Sequence, residues 1–138
     1  FQPDIDVYNQ KSDFPFNLSV RSDNRLPLRY TGLLSGNVEA DICSSTGIIE
    51  GEDVIKMILA GADCVQVVST LYKNGIDHLE TMLNNIEFWM EHHDYESIAD
   101  FRATLDKKHS TDPWAYTRSQ YVRFIMNPRK VLDNYPLP

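Results

Sequence analysis

Apolar residues recur with two different periods in the middle of the chain, and these periods predict the order of its elements. Short apolar runs at residues 40–44 and 64–68 are typical of buried strands, and the second run is nearly all apolar, as expected of a parallel strand covered on both faces. Between them, Val54, Met57 and Ile58 follow helical spacing, which predicts a helix over residues 50–60. A longer apolar stripe predicts another helix over residues 76–92. We therefore expect an α/β centre in which the two strands are parallel and joined by a right-handed crossover.

The flanking segments carry weaker patterns. A helix is predicted to begin near Leu26 and to stop at Gly36, where glycine permits a left-handed residue. Residues 97–100 (SIAD) resemble a capping box that opens an amphipathic helix with Phe101 and Leu105 on its apolar side. Another helix is predicted over residues 113–126, before an extended tail. Residues 1–24 are interpreted as a loop excursion with short edge strands or a hairpin.

Each predicted strand is followed by a turn of small residues at which the next helix begins. Such turns can direct several backbone N–H groups at one anion, and in (β/α) barrels a phosphate is commonly held by the loops after the last two strands. Serine and threonine at the same positions are also good helix N-caps, so each hydroxyl taken alone has a purely structural explanation. The residues concerned are Ser44, Ser45, Thr46 and Gly47 in the first turn, and Val68, Ser69 and Thr70 in the second.

Composition and charge exclude some classes of function. The chain has 138 residues, 13 basic and 20 acidic side chains, and a net charge of −7. This balance argues against a nucleic-acid surface, because neutralising phosphates needs clustered lysine and arginine. No apolar run approaches the roughly 20 residues of a membrane-spanning helix. We therefore expect no nucleic-acid partner and no membrane association.

The two cysteines lie within the strand-like runs. Cys43 and Cys64 are predicted to be buried small hydrophobic residues of a protein from a reducing compartment, which favours a cytoplasmic location. If the two strands pair, a disulfide between the cysteines is an alternative. No CxxC motif or Cys/His ligand spacing occurs, so no metal site is expected.

Several ordered motifs give the chain a family resemblance. The run SSTGI is followed by EGEDVIKMILAGADCVQVVSTLYKNG and then by YESIADFRATL. In this order the motifs resemble the C-terminal part of the dihydroorotate dehydrogenase family, closest to its bacterial dihydroorotate dehydrogenase-like branch. The opening FQPDID also resembles the end of the sixth barrel strand in that branch. The resemblance covers roughly the first 105 residues. It favours part of a larger domain over the alternative interpretation, a small complete α/β domain.

The resemblance implies the C-terminal portion of an FMN-binding (β/α)8 TIM barrel. Within it, residues 1–24 would be a loop excursion, residues 25–105 the last barrel β/α units, and residues 106–138 a C-terminal helix and tail. The implied activity is the FMN-dependent oxidation of a dihydropyrimidine, dihydroorotate to orotate, in pyrimidine biosynthesis. The seven turn residues would hold the FMN phosphate, although the first turn has Ser-Ser-Thr-Gly, and Val68 stands where the family often has glycine.

The catalytic residues of such an enzyme are expected outside this chain. The family's catalytic base, a cysteine or serine, lies on a loop after an earlier strand, so the fragment alone is expected to be inactive and to need the missing N-terminal half or a second copy. Two other functions stay open. One is a lyase or isomerase that binds a phosphorylated substrate in the same turns, and the other is a non-catalytic interaction module that uses the aromatic and basic residues after Asp112.

Overall fold

A computed structural model describes residues 4–13, 18–112 and 116 of the chain. Its elements are two strands, β1 (Asp4–Asp6) and β2 (Lys11–Asp13), a 3-10 turn (Arg21–Asn24), α1 (Arg25–Leu34), β3 (Cys43–Ser45), α2 (Gly51–Leu59), β4 (Cys64–Gln66), α3 (Ser69–Asn74), α4 (His78–His92) and α5 (Ile98–Phe101). The structure is therefore mixed α/β, as predicted. Apart from residue 116, the predicted helix over residues 113–126 and the tail lie outside the described residues.

Strands β3 and β4 pair in parallel, with Ser44 opposite Val65 and Ser45 opposite Gln66. This confirms the predicted parallel pairing of the two apolar runs around α2. Both strands are shorter than expected. The first begins at Cys43 and leaves Ala40 and Asp41 exposed in the preceding connection, and the second ends at Gln66.

The start of the chain differs from one of the expectations. Strands β1 and β2 form an antiparallel hairpin in a sheet separate from β3 and β4. The hairpin was one of the interpretations of residues 1–24. The reading of the FQPDID opening as the end of a barrel strand is wrong for the described residues, because β1 pairs only with β2 among them. A strand of three residues, with two of them exposed, has no apolar face to bury against the larger sheet.

Helix α2 lies at the centre of the packing. Met57 belongs to one apolar cluster with Ile48, Ala62 and Met82. Ile55 and Ile58 belong to a second cluster, around Phe101. Because α2 carries buried residues of both clusters, it connects the two halves of the core.

Both ends of α2 are specified by local chemistry. At its start, the Asp53 carboxylate accepts the backbone N–H groups of Glu50 at 3.1 Å and Ile49 at 3.3 Å, which satisfies donors that have no partner within the helix. At its end, Gly61 has a φ of +107°. The Ala62 N–H then returns to the Met57 carbonyl at 2.9 Å, the pattern of a Schellman motif.

Helix α4 packs along α2, and its start is later than the sequence pattern indicated. The apolar residues Met82, Ile86 and Trp89 contact the two clusters, whereas Leu83 on the same helix is 59% exposed. Gly51 permits the close approach, because a Cβ there would lie 2.6 Å from the Met82 carbonyl oxygen.

The segment after α4 folds back over the end of α2. The predicted capping box is present in part, since the Ser97 N–H donates to Asp100 Oδ2 at 2.7 Å. The helix it opens has only four residues, so the prediction that it extends to Leu105 is wrong. The chain instead leaves the helix so that the N–H groups of Ala103 and Leu105 can bond the carbonyls of Ile58 and Leu59.

The predicted burial of the two cysteines is wrong. Cys43 and Cys64 are directly opposite each other in β3 and β4, and both are exposed. Side chains alternate across a strand, and α2 covers only the face that carries Ser44. The nearly apolar run at residues 64–68 therefore has one covered face rather than two.

A first prediction concerns Asp53, whose side chain is fully buried and paired with Arg21. Replacing it by asparagine (Asp53→Asn) removes the negative charge to which Arg21, Lys56 and two backbone N–H groups donate hydrogen bonds. We expect the free energy of unfolding, measured with urea, to fall by about 2 kcal/mol or more. The matched control is Glu52→Gln, whose side chain is 71% exposed and whose loss should cost less than about 1 kcal/mol. Equal costs for the two variants would contradict the role given to Asp53.

A second prediction concerns acid stability. Burial acts to raise the pKa of Asp53, but the hydrogen bonds from Arg21, Glu50 and Ile49 outweigh it and lower the pKa below 3.8. Burial likewise opposes a lowered pKa at Asp106, where His109, Ser35 and Lys108 donate hydrogen bonds. Both carboxylates therefore contribute stability that is present above the unfolded-state pKa and is lost as the pH falls through the lower folded-state pKa.

The expected result is a free energy of unfolding that declines as the pH drops below roughly 4. In Asp106→Asn the decline should be shallower, because one of the two groups no longer titrates. Urea unfolding over a pH series measures both curves. Identical slopes for the parent chain and this variant would show that Asp106 does not titrate differently in the folded state.

Candidate functional site

A cavity of about 820 Å³ lies at the carboxyl ends of β3 and β4, a volume within the usual range for small-molecule sites. Its walls come from three parts of the chain: the turn after β3, the residues that lead into α3, and residues 18–27. Five of the seven residues predicted to hold a phosphate line it. They are Ser45, Thr46, Gly47, Val68 and Ser69.

The turn after β3 has an unusual backbone conformation. Thr46 and Gly47 have φ angles of +77° and +70°, so two consecutive residues lie in the left-handed region. This conformation is uncommon for a β-branched residue, so the backbone of Thr46 is strained. Thr46 also lines the cavity. The Gly47 N–H donates to the Ser19 hydroxyl oxygen at 3.2 Å.

Ser19 joins the two turns and was missed by the sequence reasoning. Its hydroxyl lies 2.7 Å from that of Ser69, and its N–H donates to the Ser69 hydroxyl oxygen at 3.0 Å. Lys73 donates to the Ser19 carbonyl at 2.8 Å. Ser19 is 50 positions from Ser69 and lies in a segment without periodicity, so no local pattern marks it.

The other two predicted residues face away from the cavity. Ser44 is 4% exposed, and its hydroxyl donates to the Met57 sulfur at 3.2 Å. Thr70 is fully buried, and its hydroxyl donates to the Ile49 carbonyl at 3.0 Å. Both hydroxyls therefore stabilise the core. The alternation of side chains along a strand explains why Ser44 and Ser45 differ.

Charged groups line one wall of the cavity. Arg25 and Asp23 both lie there, and Asp23 Oδ2 accepts the Val20 N–H at 2.9 Å. That carboxylate serves the backbone of its own turn but keeps its charge, so this wall carries one guanidinium and one carboxylate beside Ser19 and the turn after β3.

The buried side chain of Asn24 links the cavity wall to the start of α2. The Asn24 amide donates to Asp53 Oδ1 at 3.1 Å and to the Gly47 carbonyl at 3.4 Å. Arg21 donates to the same Asp53 oxygen at 2.8 Å. These contacts connect residues 21–24, the turn at Gly47 and the first turn of α2.

Comparison with known proteins supports the family resemblance. No family model matches the chain. Half of the chain is 36% identical, over 69 residues, to a probable dihydroorotate dehydrogenase A (fumarate) of Streptococcus pneumoniae R6. The dihydroorotate dehydrogenase A (fumarate) of Lactococcus lactis subsp. cremoris MG1363 is 33% identical over 67 residues, or 49% of the chain. The dihydroorotate dehydrogenase (fumarate) of Lachancea kluyveri is 31% identical over 70 residues, or 51% of the chain.

These similarities confirm the predicted resemblance to dihydroorotate dehydrogenases, including bacterial ones. Each match covers 22% of the relative, so the chain spans only a small part of the length of the proteins it matches. The mixed α/β chain therefore shares one segment with these oxidoreductases.

Membrane association was predicted to be absent. Within the described residues, no helix is both long enough and apolar enough to cross a bilayer.

A third prediction concerns Gly47. A Cβ at this position would lie 2.6 Å from the Asn24 nitrogen and 2.8 Å from the Val20 carbonyl oxygen. Gly75 is the matched control, because it also has a positive φ, +82°, but a Cβ there meets nothing within 4 Å. Gly47→Ala should lower the free energy of unfolding by about 1–3 kcal/mol more than Gly75→Ala, through the extra overlap. Equal losses in urea unfolding would contradict the close approach of the 20–24 backbone to this turn.

Proposed function

We propose that the chain is part of an FMN-dependent oxidoreductase of the dihydroorotate dehydrogenase type. In this proposal the described β/α elements are the last units of a (β/α)8 TIM barrel, and the cavity at the ends of β3 and β4 holds the FMN phosphate. One observation carries the proposal: the turns after two neighbouring parallel strands meet in a single cavity. It occurs in a chain half of which resembles dihydroorotate dehydrogenases.

The groups around the cavity fit a phosphate monoester. Hydroxyls of Ser45, Thr46 and Ser69 line it, and the Gly47 N–H is directed at Ser19. Hydroxyl and N–H groups that converge from two turns are suitable donors to phosphate oxygens. Arg25 adds a positive charge to the same wall, next to the negative charge of Asp23. In this proposal Ser19 joins the phosphate-binding set, and Ser44 and Thr70 leave it because their hydroxyls bond core groups.

The residues of this chain would bind and orient the cofactor. When bound, FMN supplies the ability to accept a hydride from a dihydropyrimidine substrate. The two turns would fix the phosphate end and so place the rest of the cofactor relative to the strands. We assign no catalytic base to the chain and place that group on an earlier part of the barrel.

The open face of the small sheet is consistent with a larger assembly. Cys43, Cys64 and Gln66 are exposed on it, and β3 and β4 pair only with each other among the described strands. Uncovered strand edges are sites of association. We propose that further barrel strands, from a preceding part of the protein or from a second copy, pair with the outer edges of β3 and β4 and so enclose this face, and that the enzyme acts in the cytoplasm.

A fourth prediction tests the phosphate site. We expect the purified protein to bind FMN more tightly than riboflavin, which lacks the phosphate, when flavin fluorescence is titrated. Ser69→Ala should weaken FMN binding about tenfold, because a hydrogen bond to a charged group is worth roughly 1.5–3 kcal/mol. It should leave riboflavin binding unchanged. Thr81→Ala, on the exposed face of α4, is the control and should change neither affinity.

Three results would count against the proposal. If the protein binds neither flavin, the cofactor assignment fails, and a phosphorylated substrate of a lyase or isomerase becomes the better ligand. Equal affinities for FMN and riboflavin would show that the phosphate contributes nothing to binding, so the cavity would not be a phosphate site. A loss of both affinities in Ser69→Ala, with an unchanged circular dichroism spectrum, would place another part of the flavin at Ser69.

A further inference from the structure

Two opposite charges line the same wall of the cavity. Asp23 belongs to the 3-10 turn, and Arg25 is the first residue of α1. One carboxylate oxygen of Asp23, Oδ2, accepts the Val20 N–H at 2.9 Å. Among the residues that the structure describes, no hydrogen-bond donor meets the other oxygen, Oδ1, and no ion pair joins Asp23 to Arg25. Both charges are therefore available to a ligand.

Arg25 differs in this respect from the other arginines in the described part of the chain. Arg21 donates to Asp53 at 2.8 Å, Arg29 donates to the Tyr116 carbonyl at 2.9 Å, and Arg102 pairs with Asp63. Within residues 18–112, Arg25 is the one arginine whose guanidinium has no hydrogen bond or ion pair. Its guanidinium holds no part of the described fold together, and its position in the cavity wall points to a bound anion.

The place of this wall is determined by contacts within the chain. Arg21 and Asn24 both donate to the buried Asp53 carboxylate, at 2.8 Å and 3.1 Å, and so hold the segment that carries Asp23 and Arg25 against α2. The carboxyl ends of the strands face the active-site opening in a complete barrel. Further barrel strands would therefore leave this wall open to a ligand.

The ligand needs more than an anionic group to match the wall. A cavity of about 820 Å³ is in the range that takes a whole small molecule, so groups next to the anion also lie against the wall. An ionised carboxylate can only accept hydrogen bonds, and it repels a phosphate. Asp23 Oδ1 therefore requires a neutral donor on the ligand, and hydroxyl groups close to the phosphate meet that requirement.

We propose that Arg25 binds the phosphate of the ligand while Asp23 binds hydroxyl groups on the adjoining carbon chain. The two residues then select a phosphorylated polyol, and a ligand without these hydroxyls leaves a carboxylate oxygen desolvated and without a partner. The inference rests on the proposed function, in which the ligand is FMN and the polyol is its ribityl chain. It assigns the two ends of that chain to two different side chains.

The fifth prediction uses three flavins to separate the two contacts: FMN, riboflavin, which lacks the phosphate, and lumiflavin, which lacks the ribityl chain. Asp23→Asn should weaken FMN and riboflavin alike by about fivefold, because a neutral acceptor replaces a charged one, and should leave lumiflavin unchanged. Arg25→Gln should weaken FMN about tenfold through the loss of a charge-assisted bond and should change neither riboflavin nor lumiflavin. Fluorescence titration of the purified chain measures each affinity.

Matched variants control for the local structure. Asp100 also accepts backbone N–H groups at a helix start, from Glu96 and Ser97, but it does not line the cavity, so Asp100→Asn should change no flavin affinity. Arg29→Gln, one turn further along α1, is the control for Arg25. Asparagine at position 23 keeps an acceptor for the Val20 N–H, and urea unfolding checks that each variant stays folded.

The possible failures are distinguishable. If the parent chain binds no flavin, the proposed function fails and this inference fails with it. If the parent prefers FMN to riboflavin but Asp23→Asn strengthens FMN and leaves riboflavin unchanged, the carboxylate only repels the phosphate, and the inference alone is overturned. An equal loss of lumiflavin in Asp23→Asn would place the flavin ring at Asp23 and would also overturn it. So would an Arg25→Gln variant that keeps the full preference for FMN.

Discussion

The buried carboxylate of Asp53 is the constraint on which the arrangement of the chain depends. It lies on the first turn of the central helix and is completely removed from solvent. A charge in that position is tolerated only when it is paired and hydrogen-bonded. Arg21, Asn24 and two backbone N–H groups meet this requirement. The need to satisfy one charge thereby brings a distant loop against the start of α2.

The cavity is a product of the same arrangement. Asn24 bonds both Asp53 and the carbonyl of Gly47, so the loop that neutralises the carboxylate also forms the wall opposite the turn after β3. Gly47 has no side chain, and the backbone at Val20 and Asn24 occupies the space that a side chain would need. The loop continues to Ser19, which reaches the start of α3 through Ser69. The apolar clusters determine where the helices lie, and this polar network determines the shape of the site.

Elements that depend on local periodicity could be predicted from the sequence, whereas contacts between distant segments could not. The strand, helix and strand around α2 follow from apolar spacing, and the left-handed stops at Gly36 and Gly61 follow from glycine. Ser19 could not be found, because its role exists only through contacts with residues about 28 and 50 positions away. The exposure of Cys43 and Cys64 was missed for a related reason: an apolar run shows that a strand can be covered on both faces, but not whether the chain supplies both covers. Helix α5 is short because the carbonyls at the end of α2 bond the backbone that would have continued it.

The hydrogen bond from the Gly47 N–H to the Ser19 hydroxyl affects how much free energy a ligand can gain by binding in the cavity. The Gly47 N–H already has an acceptor within the chain, and Ser69 is likewise bonded to Ser19. An incoming anion therefore exchanges one hydrogen bond for another instead of satisfying an empty donor. A neutral acceptor gains almost nothing from such an exchange, whereas a charged oxygen gains the difference between a charge-assisted and a neutral hydrogen bond. In the proposed phosphate site, the Ser19 hydroxyl would compete with the ligand for these hydrogen bonds and so favour a charged ligand over a neutral one, whatever the ligand's shape.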